Sequence, residues 1–420
     1  MRVFKFGGAS VKDPNAVRNV KRVLDLFPEE ELVVVISAMG KTTNALESLI
    51  AAHIEQTGQK QAILNDIRSF HHEILSDLFS SSDHAIHSET ENCLNEIEKI
   101  LNEEPMDHYD FIYDQVVSFG EILSTKIVSA FLQDQGVENV WLDARKLVCT
   151  DNTYREAKVN WNVTQERINS AISQSEGNKK IHLTQGFIGH TSEGLTTTLG
   201  REGSDFTAGI FAYCLDAEDV TIWKDVPGML NADPKWFEET EKLDEISYRE
   251  AIELAYYGAS VIHPKTIKPL QNKQIPLLVK SFLDPESEGT IIQASNRSDG
   301  LITSYIFKRD QILISISPKD FSFIVEHNLR DIFNAFHEHR VKINLMQNSA
   351  ISFSACAGGD QVRIDALIND LSADFAVKYN SGVELLTIRH YDQETIDRLT
   401  EGKEILVIQR SRQTARVVMK

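Results

Sequence analysis

Cysteine is scarce in this 420-residue sequence, and its four copies show none of the close spacings of metal or redox sites. Cys93, Cys149, Cys214 and Cys356 stand alone, which predicts reduced thiols in a cytoplasmic protein. Apolar runs are short as well: LVVVISAM at 32–39 is far below the ~20 residues that span a bilayer. No leader with an apolar core precedes the first strand-like residues, so we expect no secretory signal.

Positive charge is also in short supply, because 43 lysines and arginines face 62 aspartates and glutamates, for a formal net charge of −19. Recognition of nucleic acid or an anionic membrane needs clustered cations, so the sequence argues against both partners. A local basic pocket for a small anion remains compatible with this balance. The composition, 42% hydrophobic and 25% charged, is that of a soluble globular protein, and the length predicts two or three domains.

The first 295 residues alternate strand-like and helix-like segments. RVFKF (2–6) and ELVVVIS (31–37) have the composition of buried strands, and the segment 15–27 between them has apolar residues at helical spacing. Helical sequence follows at 44–103 and 109–135. Further strands are predicted at NVWLD (139–143), KIHLTQGFIG (180–189), DVTIWKDVPG (219–228) and IPLLVKSF (275–282). This order predicts a mostly parallel sheet covered by helices.

The polar stretch ASNRSDG (294–300) is a predicted domain boundary, and shorter units follow it. From ILISIS (312–317) to AVKY (376–379) the order is β-α-β-β-α-β, as in ferredoxin-like modules. The remaining residues give only β-α-β-β. The sequence therefore predicts a second domain over 303–420, with one complete module and a shortened second one.

The N-terminus places a lysine inside a buried-looking strand and two glycines directly behind it, in KFGG. Glycines after a strand let backbone N–H groups approach a ligand, and Lys5 would add the fixed positive charge that a migrating phosphoryl group needs. On its own, however, two glycines after a strand more often form only a turn. The motif is not a Walker loop, because GxxxxGK[ST] is absent.

Two further segments carry charged groups in unusual places. In TTTLGREGSDFTAGIFAYCL (196–215), Arg201 stands between glycines, and Ser204 or Asp205 can cap the following helix, where an anion could bind. In SFGEILST (118–125), Glu121 lies in an apolar helical context where a carboxylate needs a partner. That partner is either a structural cation or a substrate ammonium. A capped helix with a surface arginine explains the first segment as well as an anion site does.

Taken together and in this order, the segments resemble the aspartate kinases of the amino-acid-kinase family. The matching segments are KFGGAS (5–10), VISAMGKTTN (35–44), SFGEILST (118–125), TQGFIG (184–189), TTTLGREGSD (196–205), KDVPGMLNADP (224–234), YGASVIHP (257–264) and IPLLVK (275–280). The resemblance implies a three-layer α/β/α sandwich with a mostly parallel sheet, followed by an ACT-type α+β regulatory region. It also implies phosphorylation of the side-chain carboxylate of L-aspartate by ATP with Mg²⁺, as the first step of lysine, threonine and methionine biosynthesis.

The same resemblance assigns roles to individual residues. Lys5 would contact the transferring phosphoryl group, Asp205 would orient Lys5, Arg201 would hold the substrate α-carboxylate, and Glu121 its ammonium. The rest of the substrate pocket would be lined by Ser37, Ala38, Thr43, Phe187 and Ser204. The nucleotide would be bound by Lys5, Phe6, Gly7, Gly8, Lys224, Asp225, Leu230, Lys235, Ser260 and Val261. An aspartate side chain is already ionised at neutral pH, so no general base is required.

This chain departs from the family pattern at several positions. The family usually has glycine at the position of Glu202, and Thr, Tyr, Arg and Lys are common where this chain has Lys224, Leu230, Lys235 and Ser260. In the ACT-type region, Asn344 and Ala350 replace carboxylates that would capture an effector's ammonium, so a lysine effector is not implied. A homodimer through strand edges is expected. Two alternatives stay open: another carboxylate kinase, and an amino-acid-binding regulatory protein with weakened turnover.

Overall fold

The computed structural model describes residues 1–103, 109–174, 180–259, 262–320 and 322–420. They form two compact units, the first comprising 1–229, 242–252 and 261–297, the second 230–241, 253–260 and 298–420. The junction at 297–298 falls within the polar stretch 294–300. Two short segments before it, 230–241 and 253–260, nevertheless belong to the second unit.

The first unit is built around one eight-stranded sheet. The strands up to residue 293 are β1 (Arg2–Phe6), β2 (Leu32–Ile36), β3 (Asn139–Leu142), β4 (Ile181–Gln185), β5 (Ile188–His190), β6 (Thr196–Thr198), β7 (Val220–Lys224), β8 (Glu245–Ser247), β9 (Leu277–Ser281) and β10 (Thr290–Gln293). The sheet order is β3-β4-β2-β1-β7-β9-β10-β8, and β5 pairs with β6 separately. Within the described ranges, only the β9–β10 pair of the large sheet is antiparallel, which confirms the predicted mostly parallel α/β class.

Helices connect these strands. They are α1 (Pro14–Leu24), α2 (Thr42–Ile54), α3 (Lys60–Leu78), α4 (Ala85–Glu103), α5 (Tyr109–Asp134), α6 (Trp161–Ser173), α7 (Gly203–Leu215), α8 (Tyr248–Tyr257) and α9 (Pro264–Lys273). The predicted helical stretch at 44–103 is thus divided among three helices. Among the described residues, α5 alone is long and apolar enough to cross a membrane, and it is largely buried inside the unit, as expected of a core helix.

The side chains of strand β1 alternate between an apolar core on one face of the sheet and a charged pair on the other. Phe4 and Phe6 point into a core shared with α1 and α5, where Phe6 stacks on Trp223 with ring centroids 6.0 Å apart. Side chains alternate along a strand, so Lys5 points to the opposite face. There it meets Asp205 in the first turn of α7. The lysine is accommodated because α7 brings a carboxylate to it.

The second unit contains a six-stranded antiparallel sheet. Its elements are β11 (Ser304–Pro318), α10 (Glu326–Glu338), β12 (Lys342–Asn348), β13 (Phe353–Gly358), α11 (Gln361–Asp374), β14 (Phe375–Arg389), α12 (Gln393–Leu399), β15 (Ile405–Arg410) and β16 (Thr414–Met419), in the sheet order β12-β13-β11-β14-β16-β15. The predicted succession of strands and helices from residue 312 onward is present.

The long strands β11 and β14 run through both halves of this sheet. They pair antiparallel from Ser304 opposite Arg389 to Pro318 opposite Phe375, with a bulge between Lys308 and Gln311. The segment SYIFK (304–308), which the sequence analysis did not assign, is the first part of β11 and contributes a strand to the second, smaller half. The predicted strand AVKY is the first part of the continuous strand β14.

Candidate active site

A cleft of about 860 Å³ opens in the first unit where β1, β2, β4 and β7 end and the loops behind them begin. Parallel sheets bind ligands at this carboxyl edge. The cleft brings together most of the predicted site residues, namely Lys5, Gly8, Ser37, Ala38, Thr43, Glu121, Phe187, Arg201, Ser204, Asp205 and Lys224. Residues as far apart in sequence as Lys5 and Lys224 therefore line one cleft.

The remaining predicted residues lie elsewhere. The Phe6 side chain belongs to the core beneath the sheet. Gly7 borders the lysine, because a Cβ added to it would lie 3.3 Å from Lys5 Nζ. Asp225 follows β7 but does not line the cleft, and Leu230 and Lys235 are in the second unit. Ser260 and Val261 lie outside the described residues.

An ion pair between Lys5 and Asp205 forms the floor of the cleft. Lys5 Nζ lies 2.6 Å from Asp205 Oδ1, and the two side chains are only 9% and 3% exposed. Lys224 Nζ approaches the other carboxylate oxygen at 3.6 Å. Burial raises the pKa of Asp205, but Lys5 and Lys224 outweigh it and hold that pKa below its ordinary value. One carboxylate shared by two ammonium groups leaves net positive charge for an anion.

Two glycines near this ion pair, Gly8 and Gly186, are packed so closely against neighbouring atoms that a side chain would not fit there. A Cβ on Gly8 would lie 2.9 Å from the Ala38 carbonyl oxygen, and Gly40 N–H donates to the Gly8 carbonyl at 3.1 Å. The loops that follow β1 and β2 are thus held against each other. Gly186, at the end of β4, would place a Cβ 2.4 Å from Ser204 Cβ, so its lack of a side chain lets the start of α7 approach the sheet.

Glu121 enters the cleft from the middle of α5. Its side chain accepts a hydrogen bond from the Ala38 N–H. In the described part of the chain, Oε2 is buried and receives no hydrogen bond. Burial raises its pKa to about 8, although the Ala38 N–H and Lys5 favour the charged form. A buried carboxylate oxygen left without a donor is costly, and a ligand ammonium would satisfy it.

Arg201 lies in an exposed turn directly before α7. The turn contains Gly200 at φ +79° and Glu202 at φ +54°, and Glu202 is the N-cap residue without a side-chain cap. The prediction that Ser204 or Asp205 caps this helix is wrong, because the left-handed Glu202 starts the helix earlier. Both residues lie in its first turn, where the Asp205 carboxylate pairs with Lys5. The uncapped N–H groups at this end favour anions.

One wall of the cleft was not predicted from the sequence. Residues 153–156, together with Asp110 and Tyr113 of α5, line it. Arg155 has φ +67°, and two other non-glycine lining residues, Phe187 and Glu202, also have positive φ. Such strained conformations concentrate at functional sites. A left-handed arginine carries no glycine signal in sequence, so TDNTYREAKVN gave no hint of it.

Comparison with known proteins supplies the context for this geometry. The model of the amino acid kinase family matches residues 1–281. The chain is 31% identical over 396 residues to lysine-sensitive aspartokinase 3 of Escherichia coli, covering 92% of this chain and 86% of that protein.

Two solved structures of aspartokinase III from E. coli are similar along the whole chain. The complex with lysine and aspartate aligns with a TM-score of 0.85 and 28% identity, covering 100% of this chain and 95% of that one. The complex with aspartate and ADP aligns with a TM-score of 0.81 and 28% identity, covering 100% and 96%.

Proposed function

We infer, since the chain belongs to the amino acid kinase family, that it is an aspartate kinase, which transfers the γ-phosphoryl group of ATP to the side-chain carboxylate of L-aspartate. The product is 4-phospho-L-aspartate, and the reaction is the first step of lysine, threonine and methionine biosynthesis. One observation carries the choice of substrate: a buried, incompletely paired carboxylate and an exposed guanidinium line the same cleft as the Lys5–Asp205 pair. An α-amino acid needs both groups, whereas a simple carboxylate does not.

The substrate side of the mechanism follows from these charges. Glu121 Oε2 accepts a hydrogen bond from the α-ammonium, and the Arg201 guanidinium binds the α-carboxylate through bidentate hydrogen bonds. The side-chain carboxylate is left facing Lys5. It is ionised at neutral pH, so it attacks the γ-phosphorus directly, and no residue has to remove a proton.

The phosphoryl side depends on positive charge. As the bond between the aspartate carboxylate and the γ-phosphorus forms, the bond between the γ-phosphorus and the β,γ-bridging oxygen breaks. The electron pair of the broken bond stays on that oxygen, which leaves as part of ADP. Lys5 neutralises the oxygens of the moving group, and Asp205 keeps that ammonium in place from the opposite side. The narrow turn at Gly8 lets N–H groups approach the phosphates. Mg²⁺, held mainly through the nucleotide phosphates, would neutralise further charge.

ATP binding is proposed to extend from this edge of the sheet toward Lys224 and Asp225, with Leu230, Lys235, Ser260 and Val261 as further contacts. Lys224 supports this proposal most directly, because its ammonium lines the cleft beside Asp205. Asp205 itself is occupied by two lysines, so it is a poor candidate for direct metal binding.

The second unit is proposed to be an ACT-type regulatory region that does not respond to lysine. Asn344, at a position where many members carry Asp, accepts a hydrogen bond from Lys308 Nζ at 3.0 Å and donates to Gln311 at 2.8 Å. A lysine effector would meet an ammonium there in place of a carboxylate. Titrating lysine, threonine and methionine into a steady-state assay tests this, and inhibition by lysine alone would contradict it.

We also propose a cytoplasmic homodimer. The edge strands β12 and β15 of the six-stranded sheet carry the exposed apolar residues Met346, Ile405 and Ile408, which are 50%, 46% and 39% exposed. Unpaired edges of this kind are suited to pairing with a second copy. Sedimentation of the full-length protein measures the expected mass, and a monomer at micromolar concentration would contradict the proposal.

A hydroxylamine-trapping assay with ATP tests the proposed reaction. Aspartyl hydroxamate formed only with ATP and L-aspartate supports an aspartate kinase. Hydroxamate from a different acid would indicate another carboxylate kinase. No hydroxamate from any acid at saturating ATP, with aspartate binding intact, would indicate a regulatory protein that has lost turnover.

A further inference from the structure

Asp114 is a buried carboxylate that the proposed reaction does not use. It lies on α5, seven residues before Glu121, and its residue is 0% exposed. Thr198 donates to it twice, from its N–H at 2.8 Å and from its hydroxyl at 2.7 Å. The Arg155 N–H also donates, at 3.2 Å and 3.0 Å to the two oxygens. The carboxylate is therefore saturated by donors from two separate segments.

The Arg155 guanidinium is directed away from the Asp114 carboxylate. It lies over the rings of Tyr113 and Tyr109, at 4.4 Å and 5.3 Å from their centroids, and its Nη1 is 3.3 Å from Asp110. Asp114 thus acts on the Arg155 backbone. Burial raises the pKa of Asp114 to about 6, although the bonds from Arg155 and Thr198 favour the charged form.

Both segments held by Asp114 form walls of the cleft. Thr198 ends β6, three residues before Arg201, and the Arg155 segment lies beside that turn, because a Cβ on Gly200 would be 3.2 Å from the Arg155 carbonyl oxygen. The two are also joined directly, since Ala157 N–H donates to the Thr198 carbonyl at 3.0 Å. The left-handed Arg155 conformation costs a non-glycine residue about 1–3 kcal/mol, so it needs an external anchor.

We propose that Asp114 is a positioning residue for the substrate pocket, which fixes the Arg201 turn and the 153–156 wall at a set distance from Glu121. This rests on the proposed function, in which Arg201 and Glu121 hold the two ends of an amino acid. Because Asp114 and Glu121 are on the same buried helix, one rigid element determines the spacing of both substrate-binding groups.

The kinetic test uses Asp114→Asn in the full-length enzyme. The neutral amide accepts N–H groups on its oxygen alone and carries no charge, so the bonds that hold the two segments become fewer and weaker. We expect the aspartate KM to rise about tenfold while the ATP KM stays within about twofold. Thr198→Val, which removes only the hydroxyl bond, should raise the aspartate KM by a smaller factor.

Asp219→Asn is the matched control. Asp219 is a partly buried carboxylate, and it pairs with Arg2 at 2.8 Å at the opposite end of β1 and β7. We expect it to lower the thermal midpoint without changing the aspartate KM. The positioning role is overturned if Asp114→Asn keeps the wild-type aspartate KM, or if both variants change the two KM values alike. If Asp114→Asn is not recovered folded, Thr198→Val decides by the same KM ratio.

Hydrogen exchange provides a readout that does not depend on the reaction. Without substrate, the Arg155 and Thr198 amides should exchange faster in Asp114→Asn than in wild type, and Asp219→Asn should leave them unchanged. If the wild-type enzyme makes no aspartyl hydroxamate, the proposed function fails while this measurement still tests the anchor. Unchanged exchange at both amides would overturn the anchor itself.

Discussion

The protonation of Glu121 leads to a quantitative prediction for substrate binding. With a pKa of about 8 in the empty cleft, its carboxyl carries a proton at neutral pH. A substrate ammonium binds the ionised form, so the proton must leave first. Its folded pKa is raised, so the group becomes competent as pH rises toward 8, and affinity for aspartate should increase in that direction.

The size of the effect follows from the ionised fraction. That fraction is about 3% at pH 6.5, about 10% at pH 7 and about 50% at pH 8, and an apparent dissociation constant scales with its inverse. The aspartate KM should therefore fall about fifteenfold between pH 6.5 and 8, and less than about twofold from pH 8 to 9. The range starts at 6.5 because Asp114, with a pKa of about 6, is still mostly ionised there but mostly protonated below pH 6.

A coupled assay for ADP release measures this KM across the range, and calorimetry in two buffers of different ionisation enthalpy counts protons. At pH 7 about 0.9 proton should be released for each aspartate bound. Glu121→Gln is the control, because its amide cannot ionise, so its KM should be high and independent of pH. A wild-type KM that stays constant from pH 6.5 to 8, with no proton release, would refute the reasoning.

Three further changes test other parts of the cleft. Lys5→Ala should lower kcat by roughly a thousandfold while aspartate still binds by calorimetry, and wild-type turnover would remove the lysine from phosphoryl transfer. Arg201→Ala should raise the aspartate KM about tenfold to a hundredfold with little change in kcat, with partial recovery in Arg201→Lys; an unchanged KM would exclude it from the substrate clamp. Gly186→Ala, which would place a Cβ 2.4 Å from Ser204 Cβ, should lower the melting temperature by several degrees, whereas Gly359→Ala, with its nearest neighbour at 4.0 Å, should not. Equal melting temperatures for these two variants would contradict the packing argument.

Much of the first unit could be predicted because its signals are local. Strand β1 was located at 2–6 from apolar composition, and α1 from its helical period, since burial on one side imposes both patterns. Strands β8 and β10 were missed because three or four residues give no measurable period. The first part of β11 was missed because its bulge and partly exposed residues break the alternation.

The candidate site was predictable where glycine marks the backbone. The glycines of KFGG and GREGSD predicted two loops that a ligand could approach closely, and the structure places Lys5 against Asp205. Arg155 gave no such signal, because surrounding contacts hold this non-glycine residue at a positive φ, whereas Glu202 stands where the family usually has glycine. The role of Asp114 depends on partners 41 and 84 residues away, which no local pattern specifies.

The two fifteen-residue strands β11 and β14 have a mechanical consequence for the second unit. Each strand is continuous across both halves of the sheet, so neither half can twist or melt without straining the backbone of the other. Heating should therefore unfold residues 304–419 as one cooperative block. An effector bound to either half would therefore affect the conformation of both halves through β11 and β14.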